Sequence, residues 1–96
     1  MVRINLDIRL VPDLAKLVGK DEIGFEFEGE TIGDMVNELV SKYGAKAREA
    51  LYDSGGRFDG MIQIILNKEK WIRSDDLSTP LRDDDGVSLM LLIGGG

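Results

Sequence analysis

The chain opens with a strict alternation. In VRINLDIRL the apolar Val2, Ile4, Leu6, Ile8 and Leu10 are interleaved with Arg3, Asn5, Asp7 and Arg9, a period of two that predicts a strand with one buried face. Pro12 stops it, and PDLAKLVGKDE forms a loop or short helical turn with Gly19 near its end. A second alternation, Ile23, Phe25 and Phe27 against Gly24, Glu26 and Glu28, predicts a strand that pairs with the first through a wide loop. The period then lengthens. Ile32, Met35, Val36, Leu39, Val40 and Tyr43 recur at spacings of three and four, one apolar stripe of a helix suited to lying across a sheet. Thr31 stands as its N-cap, with Asp34 three residues later. Gly44 stands where helices commonly end in left-handed conformation.

A shorter helical piece, AKAREALYD, leads into DSGGRFDG, which has turn residues and no apolar period. MIQIILN, from Met61 to Asn67, is apolar at nearly every position and β-branched, which predicts a strand buried on both faces. NKEK makes a tight turn into a short edge strand at Trp71 and Ile72. In the loop RSDDLSTPLRDDDG, Leu77 and Leu81 act as apolar pins, and Asp85-Gly86 turns sharply into a last strand from Val87 to Ile93. The order β-β-α-(short α)-β-β-β predicts an α+β layer, one main helix packed on one face of a mixed sheet. In the simplest arrangement its first and last strands lie side by side at the centre.

Composition narrows the chemistry more than the fold. Ninety-six residues fit one domain, and 43% hydrophobic with 31% charged residues is ordinary globular usage. No apolar run is long enough to span a bilayer and the N-terminal segment lacks a secretory pattern, so a cytoplasmic protein without a membrane partner is expected. The chain has no cysteine and no histidine. That excludes disulfides, Ser-His-Asp and Cys-His catalysis, and zinc sites built on His or Cys. A net charge of −6 argues against nucleic acid and makes a basic protein surface the electrostatic complement.

The segment LMLLIGGG, five apolar residues and then Gly94, Gly95 and Gly96, raises the functional question. This ending, with TIGDMVNEL, YDSGGRFDGMIQIILNKEKW and LSTPLRDDDGVSLMLLIGGG, resembles the MoaD/ThiS-type sulfur carriers of the ubiquitin-like β-grasp fold. The resemblance implies a mixed sheet of four to five strands with residues 1–93 as a single domain and 94–96 as a flexible glycine tail. It also implies a protein that is acted upon. An activating enzyme of the ubiquitin-activating type uses ATP to adenylate the C-terminal carboxylate, and a sulfur donor converts it to a thiocarboxylate. A biosynthetic enzyme such as a molybdopterin-synthase large subunit receives the sulfur, and some members are conjugated to protein lysines instead.

By that resemblance Gly96 carries the reacting carboxylate, and Gly94 and Gly95 thread into partner active sites. Glycine suits this because, lacking Cβ, it lets partner backbone approach closely, and an extended triglycine reaches roughly 10 Å. A third possibility is a non-covalent β-grasp binding module with incidental glycines. The chain itself is expected to be neither an enzyme nor the holder of a bound cofactor or metal. Asp83, Asp84 and Asp85 are expected to be a solvated turn, because neighbouring turn carboxylates point apart. Phe25, Phe27, Met35, Leu39 and Tyr43 are expected in the core, while Phe58, Met61 and Met90 are candidates for a partner-docking surface beside the tail.

Overall fold

A computed structural model describes residues 1–92. The expected strand end at Ile93 and the glycine tail, 94–96, lie outside the described residues. The elements are β1 (Val2–Leu10), α1 (Pro12–Val18), β2 (Glu22–Phe27), α2 (Ile32–Tyr43), α3 (Ala45–Leu51), β3 (Ile62–Leu66), β4 (Lys70–Ile72) and β5 (Gly86–Leu91). The strands form one mixed sheet in the order β2-β1-β5-β3-β4, with β1 and β5 parallel at its centre and every other pairing antiparallel.

The alternation of β1 does what a period of two must. Ile4, Leu6 and Ile8 turn inward and are buried, facing the same side as Phe25 and Phe27 of β2, Val87 and Leu89 of β5, and Ile62 and Ile64 of β3. Met35, Val36 and Leu39 of α2, Leu14 of α1 and Ala47 and Leu51 of α3 close the same core from that side. Among the described residues nothing packs over the opposite face of the sheet. β3 corrects the expectation of two buried faces. Ile62 and Ile64 are buried whereas Gln63 and Ile65 are only half-covered, because no helix lies over the second face. Tyr43, expected in the core, is partly exposed at its margin, where the Lys42 ammonium lies 5.5 Å from its ring centroid.

The start of α2 accounts for its polar backbone groups. Thr31 Oγ1 accepts from the Asp34 amide at 3.1 Å and Asp34 Oδ2 accepts from the Thr31 and Glu30 amides, a complete capping box. The Ile32 and Gly33 amides, which have no partner within the helix, donate instead to the carbonyls of Thr79 and Leu77. The loop before β5 is thereby tied to the start of α2, with Leu81 buried and Leu77 packed against the core. Gly44 departs from the expected left-handed helical stop. Its φ of 81° comes with ψ of −158°, an extended turn that ends α2 and starts α3 at once. The left-handed stop is found at Gly19 instead, closing α1 with φ 85° and ψ 10°.

Candidate functional site: the open sheet face beside the last strand

A regular β1 would bury Leu10 with Ile8, yet Leu10 is 54% exposed. The cause is a bulge. Asp7 pairs with Ser88 and Leu10 with Met90, so three steps along β1 match two along β5, and the extra residue turns the end of β1 over to the other face. Asp7 supports the bulge directly, its Oδ1 accepting from the Arg9 amide at 3.0 Å. Leu10 therefore stands on the open face beside Met90, which in turn faces Gln63 of β3.

The rows on either side of this one extend the apolar surface. Toward the end of β5, the Leu92 amide donates to the Met61 carbonyl at 2.7 Å, continuing the β3–β5 pairing and setting these two exposed side chains next to each other. In the other direction Ser88, Ile65 and Trp71 face one another across β5, β3 and β4, and Trp71 is 58% exposed. Leu10, Met90, Met61, Leu92, Ile65 and Trp71 thus make an apolar band on the open face, with Gln63 and Ser88 among them, that runs from β4 to the end of β5. Charged residues stand near its edges, with Arg9 paired to Asp21 at 3.6 Å and Arg73 to Asp75 at 3.1 Å. Such a band on an otherwise polar surface is what a docking face presents.

Among the sequence candidates, Met61 and Met90 lie in this band. Phe58 does not. It is buried, edge-on to Tyr52 with centroids 6.2 Å apart, because the Asp53 carboxylate gathers the Gly55 and Arg57 amides and folds the loop back over α3. Leu10, Trp71, Ile65 and Leu92 were not singled out by sequence. Leu10 was hidden because a bulge leaves no mark in an alternation, whereas Trp71 on a short edge strand was a signal in itself. Gly94, Gly95 and Gly96 lie outside the described residues. Asp83 and Asp85 serve their turn through their carboxylates, and Asp84 through its amide, which donates to the Arg3 carbonyl at 2.8 Å. Asp83 Oδ1 accepts from the Arg3 amide, and Asp85 accepts from Asn67 Nδ2 and the Arg82 amide. Among the described residues no three His, Cys, Asp or Glu are grouped as a metal site requires.

The family model of the ThiS family matches residues 8–96. The chain belongs to the ThiS family. No curated protein matches its sequence significantly, but solved structures share its fold. SAMP1 from Haloferax volcanii superposes with a TM-score of 0.76 at 19% identity, covering 98% of this chain and 99% of that one. The Amycolatopsis orientalis BexX/CysO complex gives 0.72 at 18%, covering 97% and 99%. A putative molybdopterin converting factor subunit 1 from Pyrococcus furiosus gives 0.65 at 19%, covering 97% and 100%. The five-stranded sheet gripping α2 is therefore the ubiquitin-like β-grasp, and this ThiS-family chain carries it over its whole described length. Among the described residues no helix is long and apolar enough to cross a membrane.

Proposed function

We propose that this ThiS-family protein is a sulfur carrier whose reacting group is the α-carboxylate of Gly96. The observation that carries the reading is the apolar band that reaches Leu92, the point from which the chain continues toward its glycines. A short glycine segment contributes little affinity of its own and loses entropy on docking, so binding strength must come from a folded surface beside it. The band offers such a surface beside Leu92, which supports the reading.

The chemistry then belongs to partners. A carboxylate is a poor electrophile until one oxygen becomes a leaving group. A carboxylate oxygen of Gly96 attacks the α-phosphorus of ATP on an activating enzyme, pyrophosphate leaves, and an acyl adenylate forms. Hydrosulfide from a sulfur donor then attacks the acyl carbon and displaces AMP, leaving the thiocarboxylate. With no histidine or cysteine in the chain, the Gly96 carboxylate is the one nucleophile it supplies, and the acids, bases and sulfur nucleophile of these steps reside on the partners. The recipient to test first is a molybdopterin-synthase large subunit, given the fold shared with the converting factor subunit.

Intact-mass spectrometry after incubation with the cognate activating enzyme, ATP and a sulfur source is the test. The expected result is the mass gain for one oxygen replaced by sulfur, localised to Gly96. An unchanged mass refutes the reading. The likeness to SAMP1, a modifier by its name, favours a second one, in which Gly96 forms isopeptide bonds with protein lysines. Glycine-linked lysine peptides in digests of cell lysate would identify that role.

A further inference from the structure

Toward the other end of β5, the open face is hollow. Gly24, Asn5 and Gly86 face one another across β2, β1 and β5, so one row spanning three strands holds two residues without side chains. Neither glycine has a positive φ. A Cβ on Gly86 would meet nothing closer than Asn67 Oδ1, at 3.6 Å, so neither backbone conformation nor crowding demands glycine there. At Gly24 a Cβ would lie 2.9 Å from the guanidinium end of Arg3, a flexible neighbour. Glycine inside a strand weakens it and often marks a place where a ligand or another chain comes close.

The next row, Glu22, Asp7 and Ser88, walls this floor and makes it a cavity of about 500 Å³, open to solvent. Asp84 and Lys68 stand at the rim beside the β3–β4 turn. Three carboxylates against one ammonium give the cavity a negative balance. Among the described residues, Asp7, Glu22 and Asp84 have no ion-pair partner, whereas Arg3, beside Gly24, is engaged by Glu26 at 3.2 Å. Ser88 belongs both to this wall and to the row of Ile65 and Trp71, so the cavity and the apolar band form one continuous surface.

We propose that this trough is a subsite for a basic side chain, arginine or lysine, of the protein that docks on the open face. A planar guanidinium fits over the Gly86 end of the row, beside the Asn5 side chain and away from the Arg3 guanidinium that lies over Gly24, with the Asp7 and Glu22 carboxylates on its flank, and carboxylate is the group that arginine binds in forked geometry. The same carboxylates repel an anion. The apolar band then provides affinity and the trough orientation and selectivity. This rests on the open face being the docking face.

The test uses the full chain and a defined probe. N-acetyl-arginine amide is titrated into ¹⁵N-labelled protein, following the amides of Asn5, Asp7, Gly24, Gly86 and Ser88. Saturable shifts confined to these residues, at millimolar probe, are expected. They should be lost in Gly86→Val, which fills the floor, and in the Asp7→Asn/Glu22→Gln double variant, which keeps the acceptor oxygens and removes the charge. Shifts spread over all acidic surface residues, or persisting in both variants, overturn the proposal. With the activating enzyme, the double variant should raise the KM for the carrier at least tenfold and leave kcat unchanged. If Trp71→Ala raises KM and the double variant does not, the subsite falls and the docking face stands. If neither does, the docking face falls too.

Discussion

At the scale of single residues, Asn67 joins two parts of the chain that sequence leaves unrelated. Its φ of 54° and the 62° of Lys68 put positive φ at both central positions of the β3–β4 hairpin, as a type I′ turn requires. From there its Oδ1 accepts from the Gly86 amide at 2.7 Å and its Nδ2 donates to Asp85 Oδ1 at 3.0 Å, clamping the start of β5 to the hairpin. Asn67→Ala should destabilise by about 1–3 kcal/mol, from two lost hydrogen bonds and a left-handed backbone alanine tolerates poorly. Asn67→Gly should recover only the backbone part, a difference that urea unfolding midpoints will resolve. Asp34 makes a pH-dependent contribution. Hydrogen bonds from the Glu30 amide, then from the Thr31 hydroxyl and amide, hold its pKa below the ordinary 3.8. A lowered folded pKa means the stabilisation is fully present above 3.8 and is lost as pH falls through the lower folded value. The stability gap between the wild type and Asp34→Asn should therefore be widest at neutral pH and close in acid, in chemical denaturation at both.

At the scale of elements, most of what depends on local periodicity was legible in the sequence, and local departures imposed by a neighbouring element were not. The stripe on α2 and the alternation of β1 and β2 gave their elements and inward faces, because burial of one face leaves that period in the residues. Leu39 lies on the α2 stripe and has no exposed surface, so Leu39→Ala should destabilise by about 2–5 kcal/mol, measured by urea unfolding, through lost burial and the cavity left behind. The β1 bulge was illegible because it is a mismatch between two strands from opposite ends of the chain, and Leu10 carries the same character on either face. Phe58 was misjudged for a related reason. Its loop has no period, and only the Asp53 carboxylate gathering two amides explains why an aromatic residue there turns inward. Gly29 belongs to the same class. Its φ is 131°, and a Cβ would fall 2.5 Å from that of Asp34, so the capping box of α2 depends on a glycine outside the helix.

At the scale of the whole molecule, the fold rests on the inner face of the sheet and the proposed docking on the outer one, so the two can be separated by mutation. The inner face and helices hold the fold, while the apolar band on the outer face makes few demands on it, since Leu10, Trp71 and Met61 are largely exposed. Leu10→Ser and Trp71→Ala should accordingly leave the unfolding midpoint close to that of the wild type. In the activation reaction they should raise the KM for the carrier at least about tenfold, about 1.4 kcal/mol of docking energy, with an exposed tryptophan expected to dominate. Removing Gly95 and Gly96 should do the reverse, keeping cooperative unfolding and competitive binding to the activating enzyme while abolishing turnover. The two sets of variants distinguish docking from chemistry because each changes one quantity and spares the other. A truncated chain that no longer competes would place the affinity in the glycines, and the band would lose its role. A Trp71→Ala chain that loses turnover at saturating concentration would mean that the outer face positions the carboxylate as well as capturing the partner.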